Sequence, residues 1–365
     1  MIDQPLQLLA KEINEMDSSL RALWIVDENM GARELASVRP QDALQVISNR
    51  YDVYCALKAA GFSVQLSDYD FSFLDVSSLD VIYYRVSKEK AVVHHIINSA
   101  SDYLREGGEL LLAGYKSDGI KTYQDKAARF LGAAGRKQRG SKTATMAGSI
   151  LRRGDNDRRE AKGHEAAGLD ALRLDDKGYT AFSSIHFHGI DFVSKPGVFG
   201  WNKIDQGSQL LVDQLVDEMA LLGKEPQTIV DLGCGYGFIS VMASRIGRAK
   251  IIASDNNMAA ISACSENFRL QSIDGSVLVD DCAASVQVDA DMVLCNPPFH
   301  QGFDVENELT EKFLQASKRL LARQGVALFV VNRFIPIERK AAAFFSQVET
   351  IADNGRFKVV RLSNG

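Results

Sequence analysis

The sequence predicts an α/β protein made of two tandem, doubly wound sheets, the second repeating the plan of the first. Three observations carry this. Short apolar runs alternate with helical patterns through most of the 365 residues, and such alternation implies a mainly parallel sheet with helices on both faces. The order strand, helix, glycine break, strand occurs twice. A charged, glycine-punctuated stretch, GDNDRREAKGHEAAGLDALRLDDKG, separates the two occurrences. The composition is globular, 46% hydrophobic and 24% charged, and the length suits two domains.

In the second half, QTIVDLGCGYGFISVMASRI reads as strand, glycine turn and helix. AKIIASD is a second strand, NMAAISACSENFRLQ a helix and GSVLVDD a third strand. ADMVLCN is a fourth strand, ELTEKFLQASKRLLARQG a helix closed by Gly325, and VALFVVNR a fifth strand. VETIADNGRFKVVRL holds two apolar runs about Asn354-Gly355, a hairpin signal that adds antiparallel pairing at one edge. Ahead of all this, TAFSSIHFHGIDFVSKPGVF predicts a hairpin about His188-Gly189.

The first half follows the same plan. LWIVDENMGARELAS (Leu23 to Ser37) runs alongside TIVDLGCGYGFISVMAS (Thr228 to Ser244), and the segment from Leu79 to Gly114 runs alongside ADMVLCNPPF, the next helix and the fifth strand. The copies differ at two places. The second has Gly233, Gly235 and Gly237 where the first has only Gly31. The second has Asn296-Pro297-Pro298-Phe299 where the first has Tyr84-Arg85-Val86-Ser87. This predicts a duplicated domain whose N-terminal copy, 1–155, has lost its ligand site, a linker over 156–180, and a catalytic copy over 181–365.

Charge and cysteines exclude several classes. A formal charge of −5 gives no global reason to bind a polyanion. One local stretch does: RKQRGSKTATMAGSILRR carries Arg136, Lys137, Arg139, Lys142, Arg152 and Arg153 without an acid. The five cysteines are scattered with no C-x-x-C pair, which argues against zinc or disulfides and for a reducing cytoplasm. Cys234 and Cys295 have no evident base partner and read as packing residues. His94, His95, His186 and His188 match no metal signature. No apolar run is long enough to span a bilayer, and the acidic, amphipathic N-terminus does not look like a signal peptide.

The chemistry sits in the second copy. In VDLGCGYG a strand ends at Asp231, and alternate glycines let the backbone turn tightly and approach a ligand without Cβ clashes. The spacing is G-x-G-x-G, not the dinucleotide G-x-G-x-x-G. The next strand ends in Asp255, where a carboxylate can accept from a ribose diol. The third ends in Asp280-Asp281, where a side chain can meet an adenine amine. Together these specify an adenosine-bearing ligand. The fourth strand stops on Asn296-Pro297-Pro298-Phe299. An exocyclic amine or amide nitrogen is a poor nucleophile because its lone pair is delocalised. The Asn296 side-chain oxygen and the Pro297 carbonyl can accept both its protons, the prolines hold those acceptors in place, and Phe299 can stack on a planar target.

This pattern resembles the class I S-adenosylmethionine-dependent methyltransferases, whose fourth strand ends in (D/N)-P-P-(Y/F/W) when the target is a planar nitrogen. KPGVFGWNKIDQGSQLL, NPPFHQG and NGRFKVVR narrow the resemblance to the bacterial ribosomal RNA guanine-N2 methyltransferases. That family implies two tandem Rossmann-like domains with a degenerate N-terminal one, S-adenosylmethionine as cofactor, and ribosomal RNA or a ribosomal subunit as partner. It implies that Phe199, Asp205, Gly207, Ser208 and Gln209 lie beside cofactor and substrate, Gly207 on the cofactor side and Phe199 on the RNA side. GSQLL favours the small-subunit enzyme, LCNPPFHQ the large-subunit one, and small-subunit RNA is preferred slightly. His300 is placed to line the pocket. Arg136, Lys137, Arg139, Arg152 and Arg153 are the candidate RNA-docking residues of the first copy. Three alternatives stand beside this reading: N5-methylation of a protein glutamine, DNA adenine N6-methylation, and an RNA-binding scaffold on a dead fold. The glutamine enzymes carry a small helical N-terminal domain, and a scaffold would show eroded motifs.

Overall fold

The computed structural model describes residues 3–27, 35–139, 143–152, 172–298 and 303–364. It divides into two compact units, Met1–Tyr179 and Thr180–Gly365.

The first unit contains α1 (Gln4–Asn14), β1 (Ala22–Val26), β2 (Leu44–Ser48), α2 (Tyr51–Ala59), β3 (Ser63–Leu66), β4 (Leu79–Arg85), α3 (Lys90–Tyr103), β5 (Leu104–Tyr115), α4 (Ile120–Leu131), β6 (Gly132–Arg139) and β7 (Ala144–Leu151). The second begins with the hairpin β8 (Ser183–Phe187) and β9 (Ile190–Ser194). It continues through α5 (Gln206–Val212), α6 (Leu215–Leu221), β10 (Thr228–Leu232), α7 (Phe238–Ser244), β11 (Lys250–Asp255), α8 (Met258–Gln271), β12 (Gly275–Val279) and β13 (Ala290–Cys295). It closes with α9 (Phe303–Leu320), β14 (Leu321–Asn332), α10 (Ile337–Ala341), β15 (Gln347–Asp353) and β16 (Phe357–Ser363).

Each unit has a mixed seven-stranded sheet of the same order, β3-β2-β1-β4-β5-β7-β6 and β12-β11-β10-β13-β14-β16-β15. Central strands are parallel and the last two antiparallel, as the terminal hairpin predicted. Strand β13 is buried along its whole length, so it reads as one apolar run instead of an alternation. Two apolar layers cover the second sheet. One includes Ile229, Leu294 and Leu328 on the side of α5, α7 and α8, and the other Val230, Val293 and Phe329 on the side of α9 and α10. The β8–β9 turn has His188 at φ +46° and Gly189 at +80°, the left-handed pair a two-residue hairpin needs.

The duplication extends to irregularities. The register shifts between Leu79 and Val81 in the first sheet and between Ala290 and Met292 in the second. Opposite each shift stands a glycine with no room for a side chain: a Cβ on Gly108 would lie 3.0 Å from the Leu79 carbonyl, and one on Gly325 2.6 Å from that of Ala290. Gly325 therefore does not close the preceding helix, as the sequence suggested. The helix ends at Leu320, and the glycine serves a bulge inside β14.

Registers also correct the internal alignment. Ala22 pairs with Val81 and Ile229 with Met292, and Val81 and Met292 come directly after equivalent bulges. Ala22 is thus the counterpart of Ile229, and Leu23 that of Val230, two residues away from the sequence match of Leu23 to Thr228. A two-residue slip keeps every side chain on its own face, so the apolar pattern does not distinguish the two registers.

Part of the expected linker is structure. Residues 153–171 lie outside the described residues, but Tyr179 is buried in the first unit. It donates to Asp68 Oδ1 at 2.6 Å and stacks on His95 at 4.4 Å. His94 Nδ1 meets the Asp175 carbonyl at 2.7 Å and its Nε2 faces Lys126 Nζ at 3.1 Å. An ammonium only donates, so His94 Nε2 accepts and Nδ1–H donates. Both histidines hold the end of the first unit in place.

Candidate active site

The glycine turn comes directly after β10. Gly233, Gly235 and Gly237 have φ of +72°, +55° and +87°. The turn is stitched to the end of β11: Gly233 N–H donates to the Ser254 carbonyl at 2.8 Å and Gly235 N–H to Asp255 Oδ2 at 3.0 Å. The Asn257 N–H donates to the other Asp255 oxygen at 2.9 Å. The glycines differ in what a side chain would meet. At Gly237 a Cβ would strike Cys264 Sγ at 2.7 Å, whereas at Gly235 nothing of the protein lies within 4 Å. Gly237 serves packing, and Gly235 faces open space.

Beneath the turn, Asp231 is completely buried. Its Oδ2 accepts from Ser240 Oγ at 2.6 Å and Ser240 N–H at 3.1 Å, while Oδ1 has no partner. Burial pushes the carboxyl up to about 7, against the lowering effect of the Ser240 bonds. A buried, half-satisfied carboxylate is costly, and a hydrogen-bond donor or a cation brought to it relieves the cost.

At the end of β13, Asn296 is half-buried, Pro297 buried and Pro298 exposed. The Asn296 Nδ2 donates to Asp205 Oδ2 at 2.9 Å and to Ser208 Oγ at 2.8 Å. A carboxylate only accepts, so the NH₂ must be the group facing Asp205, and the amide oxygen is left as the acceptor turned away from it. Asp205 also caps α5 by accepting from Ser208 N–H at 2.8 Å. Gly207 is small for this pair's sake: a Cβ there would lie 3.0 Å from Asp205 Oδ2 and 3.2 Å from the Phe357 ring. The resemblance placed Gly207 on the cofactor side; its described contacts support the clamp on Asn296.

Among the other expected site residues, Asp281 is ion-paired with Lys312. Its neighbour Asp280 is buried and caps its own turn, accepting from Ser285 N–H at 2.7 Å. Phe199 is 58% exposed, and its segment is tied to the turn after β11 by Asn257 Nδ2, which donates to the Gly197 carbonyl at 2.9 Å. Phe299 and His300 lie outside the described residues. Burial raises the Cys295 thiol well above its ordinary range, and the sulfur of Cys264 together with burial does the same to Cys234, so neither is a thiolate nucleophile.

Among the described residues of the basic stretch, Arg136, Lys137 and Arg152 differ in their surroundings. Arg136 is committed to Glu12 at 2.7 Å and Glu109 at 3.2 Å, acids supplied by α1 and β5. Lys137 sits mid-way along the edge strand β6, where positive charge also prevents edge-to-edge pairing. Arg152 lies at the opposite end of the β6–β7 pair from Arg139, beside Gly132. Lys142 and Arg153 lie outside the described residues.

A family model, the methyltransferase small domain, matches residues 189–361. A small-subunit ribosomal RNA methyltransferase C from Shewanella loihica is 23% identical over 98% of this chain and 98% of its own length. A large-subunit methyltransferase G from Photobacterium profundum is 32% identical over 47% of this chain, and a small-subunit methyltransferase C from Hahella chejuensis 32% identical over 45%. The chain spans about half the length of these last two, 46% of each. A solved T. thermophilus 16S rRNA N2 methyltransferase, in complex with AdoMet and guanosine, aligns with all of this chain and 92% of its own. Its TM-score is 0.79 at 21% identity, a likeness of fold. The chain thus carries a methyltransferase small domain in its second unit and is similar along its whole length to a ribosomal RNA methyltransferase.

In the first unit other residues fill the positions equivalent to the site. The corrected register puts Trp24 in the place of Asp231, Ser48 in that of Asp255 and Arg85 in that of Asn296. Trp24 is fully buried. Arg85 ion-pairs with Asp3 at 3.0 Å and Asp118 at 2.7 Å. Asp3 caps α1 as Asp205 caps α5. The acid at the helix start was kept, and its partner changed from a neutral amide to a cation that plugs the position. Two residues of the second unit escaped the sequence reading. Asn257 is an N-cap before an apolar helix, a legible signal. Asn267 lies mid-helix and binds Val193 and Tyr236 backbone groups, for which the sequence carries no signal.

Proposed function

We propose that the protein transfers the methyl group of S-adenosylmethionine to the exocyclic N2 amine of a guanine in ribosomal RNA, with small-subunit RNA as substrate and the cytoplasm as compartment. The observation that carries this reading is the clamp on Asn296. Asp205 and Ser208 take both protons of its NH₂, so the amide oxygen is preset as an acceptor for a planar amine. Alignment end to end with a small-subunit enzyme supports the choice of RNA.

The residues fit the cofactor. Asp231 offers an unpartnered buried oxygen, Gly235 an open backbone face, and Asp255 a carboxylate at the end of the next strand. S-adenosylmethionine supplies an electrophilic methyl on a sulfonium. Asn296 and the Pro297 carbonyl would orient the amine and draw its protons, raising electron density on nitrogen. No general base is needed, because the methylated amine is acidic and loses its proton to solvent. Lys137 and Arg152 are the residues of the first unit proposed to meet RNA phosphates. The glutamine-methylating alternative implied a small helical N-terminal domain, whereas the first unit has a seven-stranded sheet.

Labelled S-adenosylmethionine incubated with unmethylated ribosomal RNA of each subunit, free and assembled, tests the function. The expected product is a single N2-methylguanine in small-subunit RNA. Label appearing only in protein or DNA would refute the reading.

Asp231 predicts a pH dependence. Its folded pKa, about 7, is above the ordinary 3.8, so its contribution to stability is complete below the lower value and is lost as pH rises through about 7. A cationic ligand favours the ionised form, so affinity for S-adenosylmethionine should rise through the same window and binding should release a proton. Calorimetry at pH 7 in two buffers of different ionisation enthalpy measures that release; no difference between buffers would remove Asp231 from the cofactor's surroundings.

A further inference from the structure

Phe334 is 89% exposed, the most exposed large hydrophobic side chain among the described residues. It sits in the turn between β14 and α10. On either side of that turn the chain is anchored: Ile335 packs against the core and Ile337 is fully buried in it. Burial stabilises a Phe side chain, yet this ring stays out while its neighbours go in.

The turn lies at the site's end of the sheet. Cys295 pairs with Phe329 in parallel strands, and β14 runs on to Asn332, so Asn296 and Phe334 both come after strands that finish on the same edge. A chain of contacts joins them. Arg333 N–H donates to the Arg356 carbonyl at 2.8 Å, and Asn332 pairs with Phe357. The Arg356 guanidinium lies 5.2 Å from the Phe357 ring centre and donates to Gln206 Oε1 at 3.0 Å. Gln206 adjoins Asp205, which holds Asn296. Two exposed arginines thus lie on the turn and strand next to the exposed ring: Arg333, its chain neighbour, paired with Asp353 at 3.2 Å, and Arg356, bonded through its carbonyl to Arg333. An aromatic face beside guanidinium groups is what unpaired bases and their phosphates bind.

We propose that Phe334 is the stacking platform for an unpaired base of the substrate RNA next to the target guanine, with Arg333 and Arg356 against the neighbouring phosphates. This rests on the RNA-methyltransferase reading above.

The test compares full-length wild type with Phe334→Ala, Phe334→Leu and Phe334→Trp, using unmethylated small-subunit and large-subunit ribosomal RNA transcripts. The ring is exposed, so all four proteins should fold alike. The Ala and Leu variants should bind RNA roughly 5- to 150-fold more weakly, the range of lost base stacking. The Trp variant should bind as wild type, and affinity for S-adenosylmethionine should be unchanged throughout. An Ala variant that binds RNA as wild type does, or a Leu variant that does so, would overturn the platform while methylation by wild type upholds the parent function. A wild type that methylates neither RNA would overturn both.

Discussion

Asn296→Ala is expected to lower methyl transfer to RNA by roughly 100- to 1,000-fold, the usual effect of deleting one preorganised polar group at a reacting centre. Affinity for S-adenosylmethionine should hardly move. The reason is positional. The Asn296 NH₂ is already spent on Asp205 and Ser208, and its oxygen is the acceptor left over. Asp205→Ala should give a smaller fall, because the amide stays but loses what fixes its orientation and α5 loses its cap. Single-turnover rates with saturating cofactor separate the two. An Asn296→Ala enzyme with near-normal turnover would mean that the acceptor lies elsewhere. An Asp205→Ala enzyme slower than Asn296→Ala would mean that Asp205 itself meets the substrate.

Alanine at Gly235 and at Gly237 should fail in opposite ways. Both positions have positive φ, which costs a residue with a Cβ about 1–2 kcal/mol. Gly237→Ala also drives a methyl into Cys264 at 2.7 Å, and overpacking of that kind adds roughly 1–3 kcal/mol. It should destabilise the second unit strongly. Gly235→Ala meets no protein atom within 4 Å, so it should cost little more than the backbone strain. Its methyl instead projects into the space where the cofactor must approach the backbone, and affinity should fall on the order of tenfold or more. Denaturant unfolding and calorimetric titration of each variant decide the matter. Equal loss of stability in both, with cofactor affinity intact in Gly235→Ala, would remove Gly235 from the cofactor cradle.

The residues at the equivalent positions of the first unit predict the stoichiometry. Trp24, Ser48 and Arg85 occupy the places of Asp231, Asp255 and Asn296, and Arg85 is ion-paired with Asp3 and Asp118. One cofactor per chain is the stoichiometry those calorimetric titrations should return.

Much of this was legible in the residues. Alternating apolar runs, Asn354-Gly355 and His188-Gly189 mark strands and hairpins by local backbone chemistry, and the structure has them there. The G-x-G-x-G turn and Asn-Pro-Pro are contiguous, so their chemistry can be read without knowing what packs against them. What depended on distant residues was not legible. The repeat could slip by two residues because a period of two conceals it. Gly325 looked like a helix stop because its reason, the Ala290 carbonyl, is 35 positions away in the chain. Arg136 looked free because Glu12 and Glu109 come from other elements. Tyr179 looked like linker because its partner Asp68 lies 111 residues earlier. Sequence alone determined the class of fold, the glycine turn after β10 and the strand end on Asn-Pro-Pro, since each stems from the conformational limits of neighbouring residues. Tertiary structure alone decided which way the Asn296 amide faces and which acids its counterpart Arg85 pairs with, because a hydrogen-bond acceptor or a counter-charge acts through space, and Asp205 reaches Asn296 across 91 residues of chain.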